Sequence, residues 1–150
     1  MSNHLEAFLA GCNIVAIHKN NYSYGMCCAW AQMVDWDRVT VLLGAQSSTA
    51  KNITKGDVVG VSALAKGQNH IALQLGEGHS DEVNKFKDIT TEIHGNAILI
   101  PGAKVMMICE VMDRLVLETS PDDYFLVLKV QSFRMDDKKE FLSAHEVLHP

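Results

Sequence analysis

No run in this 150-residue chain approaches the roughly eighteen apolar residues that a membrane-spanning helix needs, so no segment is expected to cross a bilayer. The opening MSNHLEAFLAGCNIVAIHKN has no basic stretch ahead of its apolar residues, and Glu6 interrupts them. It therefore does not read as a secretory leader, and a cytoplasmic protein is expected. Positive charge is also scarce: 13 Lys and Arg stand against 18 Asp and Glu, for a formal net charge of −5. Lys138-Lys139 is the one basic pair, so no nucleic-acid footprint is present. The four cysteines, Cys12, Cys27, Cys28 and Cys109, match no zinc spacing. Without export they are expected as reduced, buried thiols, with Cys27 and Cys28 on opposite faces of a strand.

Catalytic signatures are missing as well. There is no G-x-S-x-G, no P-loop and no H-E-x-x-H. The histidines are dispersed at 4, 18, 70, 79, 94, 145 and 149, and the tail pair His145 and His149 lacks a glutamate after its first member. No metal site is expected. Neither Cys27 nor Cys28 has a basic residue beside it in sequence to activate a thiol nucleophile.

What is present is a β-rich pattern of one domain's length, covering 1–150, with 47% hydrophobic and 21% charged residues. Strands are predicted at Asn13 to His18, Gly25 to Val34, Arg38 to Leu43, Val58 to Leu64, Ala97 to Ile100, Lys104 to Arg114, Leu115 to Glu118 and Tyr124 to Phe133. Short helical patterns fall at His4 to Leu9, after Thr49 as far as Ile53, and at Asn69 to Leu75. Turns are predicted at Lys19 to Ser23, at Asp35-Trp36-Asp37, at Lys55-Gly56-Asp57 and at Pro121-Asp122-Asp123. The tail from Asp136 reads as a short helix or an arm packing on a partner. Helices do not alternate regularly with strands, which disfavours a doubly wound parallel sheet. An antiparallel barrel that removes strand edges is the better answer.

Three local features carry candidate chemistry. The run Gln46-Ser47-Ser48-Thr49-Ala50-Lys51 offers hydroxyls and backbone donors where a helix begins, which suits a phosphate. The plainer explanation is that Ser48 or Thr49 caps the helix. The stretch Ala29-Trp30-Ala31-Gln32-Met33 sets small residues beside an indole and a thioether, able to face a flat heteroaromatic ring; as a local pattern a core tryptophan is the plainer explanation. Lys85, in Glu82-Val83-Asn84-Lys85-Phe86, is a lone charge among inward-facing apolar residues, or simply a solvated lysine.

In order, these features resemble the flavin reductase-like, FMN-binding split-barrel family. Gly25-Met26, Ala29-Trp30, the acidic corner Asp35 to Asp37, Val39 to Leu43, Ser47 to Thr49 and Val58 to Leu64 follow the family's sequence. GEGHSDEVNKF, with Ser80, Val83, Lys85 and Phe86, then Cys109-Glu110-Val111 and Asp122-Asp123 continue it, so the resemblance spans roughly Ile14 to Val130.

The resemblance implies an all-β protein: a six-stranded antiparallel Greek-key split barrel with short flanking helices, forming a homodimer. It implies FMN, rather than FAD, as cofactor. Gln46, Ser47, Ser48 and Thr49 with Lys85 would bind the phosphate, and Ala29, Trp30, Ala31, Gln32 and Met33 would line the ring. His79 and Ser80 would lie on the loop over the ring or its ribityl chain. Electrons would come from NAD(P)H or from a redox partner protein. The corner here lacks the Asp-Pro-Pro of many family reductases, and their late Gly-His element is absent. Flavin binding is therefore better supported than NAD(P)H turnover. The alternative is a non-catalytic split-barrel module holding a flavin, a haem or another ligand.

Overall fold

Asn13–Lys19 form β1, and its residues 14–17 have no solvent exposure. Both faces of the strand are covered, which is why NIVAIH reads as a continuous apolar run rather than an alternating one. Val15 and Ile17 point into one core with Val39, Val41, Leu43, Val59, Val61, Leu126 and Leu128. Ile14 and Ala16 point the other way, into a second core with Leu64, Ile71, Leu75, Ile98, Ile100 and Leu142. The computed structural model that shows this describes residues 4, 7–44, 47–76 and 84–150.

The elements follow in the order β2 (Tyr22–Cys28), β3 (Ala31–Asp35), β4 (Arg38–Leu43), α1 (Ser48–Asn52), β5 (Val58–Ala63), α2 (Asn69–Gly76), β6 (Glu92–His94), β7 (Ala97–Leu99), β8 (Val105–Leu117), β9 (Ser120–Met135) and α3 (Ala144–Leu148). Every pairing is antiparallel. The sheet runs β3-β4-β9-β8-β5-β1-β7-β6, and β2 pairs with the free side of β1. Because β2 leads directly into β3, the two act as one kinked strand between β1 and β4. Six strands thus curl around the first core, while the β6–β7 hairpin and α2 cover the second. The curl is split between Cys28 and Ala31, where Ala29 and Trp30 leave the ladder.

The β1–β2 hairpin turns on Asn20 and Asn21, both left-handed at φ 55° and 60°. Asparagine tolerates that region and two-residue hairpins require it. Helix α3 carries a full capping box: Ser143 accepts from the Glu146 N–H, and Glu146 accepts from the Ser143 N–H. Glycine is required at one close approach. In β5, a Cβ at Gly60 would lie 1.9 Å from the Ile98 carbonyl oxygen of β7.

Several local expectations are corrected. Pro121-Asp122-Asp123 is not a turn; the chain reverses at Glu118-Thr119, with Leu117 paired to Ser120. Pro121 is instead accommodated in β9 where the ladder bulges between Leu115 and Leu117, so its missing N–H leaves no gap. The strands predicted at Lys104 to Arg114 and Leu115 to Glu118 are one strand, β8, bent by bulges after Ile108 and Val111. The single strand predicted from Gly25 to Val34 is broken in two. Of the predicted helix His4 to Leu9, Leu5 and Glu6 lie outside the described residues, while Phe8 and Leu9 are exposed. Among the described residues no helix is long and apolar enough to cross a membrane.

An ion pair fastens α1 to the β1–β2 hairpin. Lys19 Nζ donates to the Asn52 carbonyl at 3.1 Å and to Asp57 Oδ2 at 2.8 Å. Burial alone would push the Asp57 carboxyl up. The hydrogen bonds from Lys19 and Thr54 and the Lys19 charge outweigh it, and the carboxyl lies below its ordinary range.

Two predictions follow from these contacts. Gly60→Ala should lower stability by about 1–3 kcal/mol, because the new methyl group meets backbone that cannot rotate away; chemical denaturation of the two proteins measures it. The stabilisation from Asp57 is present above the unfolded carboxylate range near pH 4 and is lost as pH falls through the depressed folded value. Asp57→Asn should therefore cost roughly 1 kcal/mol or less at neutral pH, and the difference from wild type should vanish on acidification. A difference independent of pH would show that the ion pair is not its source.

Candidate functional site

The strand break sets how Trp30 and the start of β3 are presented. At Cys28 the chain leaves β2, and its buried thiol donates to the carbonyls of Trp30 at 3.4 Å and Leu42 at 3.5 Å. The Leu42 N–H donates to the Trp30 carbonyl at 3.0 Å, so Trp30 is held against β4 by its backbone alone. Its indole projects outward and is 59% exposed, which rules out a core tryptophan. Ala29 and Ala31 are half-buried beside it, and Gln32 and Met33 are exposed along β3.

From Leu42 the chain reaches Gly44, whose carbonyl accepts from the Ser47 N–H at 3.1 Å. Ser47, not Ser48 or Thr49, is the N-cap of α1: its Oγ accepts from the Ala50 N–H at 3.2 Å. The same Oγ lies 3.1 Å from Met26 Sδ, joining the start of α1 to β2. Ser48 is buried, and Thr49 has no exposure at all. Among the described residues Thr49 Oγ1 has no hydrogen-bond partner, and a buried hydroxyl left this way is costly unless something else meets it.

Lys85 approaches the same stretch of β2 from the α2 side. It is 7% exposed, so the solvated-lysine explanation does not hold. Its Nζ donates to the Leu75 carbonyl at 3.1 Å and to the Gly25 carbonyl at 3.3 Å. Two of its three protons are used, and no carboxylate among the described residues is within ion-pair reach of it. Burial lowers the Lys85 pKa, and the nearby Cys27 sulfur opposes that. The neighbouring Phe86 explains the glycine at 25: its ring lies where a Gly25 Cβ would be, 2.4 Å from Cζ. Gly25-Met26 thus carries Lys85 on one residue and Ser47 on the next.

Ser47 and Lys85 therefore reach adjacent residues of β2 from opposite sides, Met26 packing on the first core and Gly25 facing Phe86 of the second, and the strand Trp30 to Met33 lies beside Leu42. Gln46, His79 and Ser80 lie outside the described residues. The buried Lys85 ammonium without a carboxylate and the orphaned Thr49 hydroxyl are each of the kind that meets an anionic group such as a phosphate.

A second feature was not singled out from the sequence. An apolar groove of about 360 Å³ opens at one end of the first core, where Val39 and Val61 of that core and Ala31, Met107 and Val130 packed against it line its floor. Met33, Trp36, Met107, Phe133, Met135 and Phe141 are among its walls. It shares Ala31 to Met33 with the candidate ring strand but does not reach Ser47, Thr49 or Lys85. The alternation Phe133-Arg134-Met135 is the available sequence signal, and it reads equally well as an ordinary strand.

Comparison with known proteins bears on the family and the fold. The profile of the family described as "Flavin reductase like domain" matches residues 5–146. Among solved structures, the Streptomyces globisporus C-1027 NADH:FAD oxidoreductase SgcE6 superposes with a TM-score of 0.79 at 20% identity, covering 89% of this chain and 80% of its own. The flavoredoxin of Methanosarcina acetivorans gives 0.78 at 12% identity, with coverages of 96% and 89%. The FMN-binding protein of Thermus thermophilus, with bound p-hydroxybenzaldehyde, gives 0.78 at 14%, with coverages of 91% and 78%. A search of curated proteins finds no match. With the profile covering nearly its whole length, the chain belongs to the flavin reductase-like family.

Proposed function

We propose that this protein binds FMN and passes electrons through it, as an NAD(P)H-dependent reductase or a flavoredoxin-type carrier. The observation that carries the reading is the buried Lys85 ammonium, which meets β2 at the Gly25 carbonyl and has no carboxylate partner among the described residues. When bound, the flavin supplies the redox chemistry, so the chain needs no nucleophile of its own.

In this reading Lys85 and the Thr49 hydroxyl meet the phosphate, with Ser48 and Gln46 beside them. The exposed edge of Trp30 and the backbone of Ala31 to Met33 orient the ring. Ala29 is small enough to let the strand turn under the ring, and His79 and Ser80 belong to the segment next to Lys85 in sequence. FMN is the flavin of this reading because Lys85 and Thr49 offer donors for a single phosphate.

Thr49→Val keeps the side chain's shape and removes its hydroxyl, and Lys85→Ala removes the cation. Hydrogen bonds to charged groups are worth roughly 1.5–3 kcal/mol, so each substitution should weaken FMN about tenfold or more. Riboflavin, which has no phosphate, should be affected far less. Quenching of flavin fluorescence measures both ligands, and equal losses for the two would falsify the phosphate assignment. Anaerobic addition of NADH or NADPH to the loaded protein separates reductase from carrier: bleaching of the flavin absorbance marks the reductase.

The groove supports a homodimer. Trp36 is 97% exposed at its edge, and Phe133, Met135 and Phe141 are exposed along it, an arrangement that a second copy would cover. Light scattering should give twice the mass of the chain, and Phe133→Glu should shift it to the monomer. A wild-type monomer overturns the dimer.

A further inference from the structure

The turn that carries Lys85 is tied to α2 by a side chain outside the candidate site. Gln74, in the last turn of α2, gives both protons of its amide to that segment. Its Nε2 donates to the Lys85 carbonyl at 2.8 Å and to the Lys87 carbonyl at 2.7 Å. Both acceptors are carbonyl oxygens, so only the NH2 end of the amide satisfies them. The segment binds the helix in return. Lys85 Nζ donates to the carbonyl of Leu75, the residue after Gln74, at 3.1 Å, and crosses to the Gly25 carbonyl of β2 at 3.3 Å.

We infer that Gln74 is the positioning residue for Lys85: it holds the lysine's backbone where the ammonium aims its remaining proton in one fixed direction, at the anionic group of a bound ligand. The inference rests on the proposed role of Lys85 at the phosphate and names the residue through which that role is built.

An ammonium carries three donors. The Gly25 and Leu75 carbonyls hold two of them, so the tetrahedral nitrogen leaves the third a single direction, and no acceptor among the described residues meets it. A solvated lysine turns its head to suit an arriving anion. Lys85 is 7% exposed and has no such freedom, so its aim is set by where its backbone stands.

The turn has other fastenings, and they do different work. The Lys87 N–H donates to the Asn84 carbonyl at 3.3 Å, the Ile89 N–H to the Phe86 carbonyl at 3.0 Å and the Phe86 N–H to Asn84 Oδ1 at 3.1 Å. Phe86 and Ile89 pack against the second core. These contacts shape the turn and anchor its apolar residues. Among the described residues, only Gln74 meets the carbonyls of Lys85 and Lys87. Without the amide the turn keeps its Phe86 anchor, and the Lys85 backbone can pivot about it.

A plainer account makes Lys85 a cap for the last carbonyls of α2, which lysines often provide. A cap needs one carbonyl and a solvated head. The second bond, across to Gly25, and the burial of the ammonium go beyond that need.

The test compares the whole chain as wild type, Gln74→Met, Lys85→Ala and the double variant. Methionine keeps the length of the side chain and the helix propensity and removes the amide. The first reading uses no flavin: lysines of the native protein are acetylated with acetic anhydride and each rate is followed by mass spectrometry. Gln74→Met should raise the Lys85 rate about tenfold, by local release of the turn. Lys104, equally buried at 9% exposed and held by the Asp136 carbonyl, is the control, because a general loss of stability would raise both. The second reading is affinity by flavin fluorescence. Gln74→Met should weaken FMN about fivefold and riboflavin less than about twofold, and should add nothing on the Lys85→Ala background. An unchanged Lys85 rate overturns the inference, as does a rise shared with Lys104 or an FMN loss that persists in full without Lys85. A raised Lys85 rate alongside equal losses of FMN and riboflavin in Lys85→Ala upholds the positioning and removes the phosphate from the role of Lys85. Should Gln74→Met not fold, the wild type decides: the Gln74 side-chain amide protons should exchange with solvent more slowly than those of an unbonded glutamine, and equal rates overturn the inference.

Discussion

The fold depends on β1 being enclosed on every side. Its backbone is hydrogen-bonded to β2 along one edge and to β5 and then β7 along the other. Its side chains are divided between two cores, Val15 and Ile17 to one and Ile14 and Ala16 to the other. A strand buried this way cannot slip register by one residue without exchanging the two sets. That constraint fixes where β2 lies. The position of β2 in turn decides which carbonyl Lys85 meets and which methionine Ser47 touches.

β2 then has to serve two sheets' worth of neighbours. It pairs with β1, and its continuation pairs with β4, so the chain must change partner part-way along. The change occurs at Ala29-Trp30, where the ladder is interrupted and Trp30 keeps a single backbone bond to Leu42. Small residues on both sides of the indole make the kink possible without steric conflict. The split in the barrel and the candidate ring site are thus one feature: the place where the strand stops pairing is the place where its backbone is available to a ligand.

Much of this was legible in the residues. Val39, Val41 and Leu43 alternate as a half-buried strand should, and Asn13 to His18 and Val58 to Leu64 carry the β-branched density of strands buried on both faces. The order of the motifs pointed to the family and to Ser47, Thr49 and Lys85. What stayed hidden depended on partners distant in sequence. The break at Ala29-Trp30 has no local turn signal, because it is imposed by β1 and β4 rather than by Gly or Pro. Pro121-Asp122-Asp123 has a strong turn signal and no turn, because a β-bulge absorbs the proline. Lys85 looked solvated because nothing near it in sequence reveals that Leu75 and Gly25 enclose it.

The outward indole at the strand break has a spectroscopic consequence. The chain holds two tryptophans, Trp30 and Trp36, and both are mostly exposed, one at the candidate ring site and one at the edge of the apolar groove. Neither sits in a core whose loss on unfolding would move it into water. Intrinsic emission of the isolated chain should therefore already be red-shifted in the native state and change little on denaturation. The same emission becomes a direct optical report on what docks at those two surfaces.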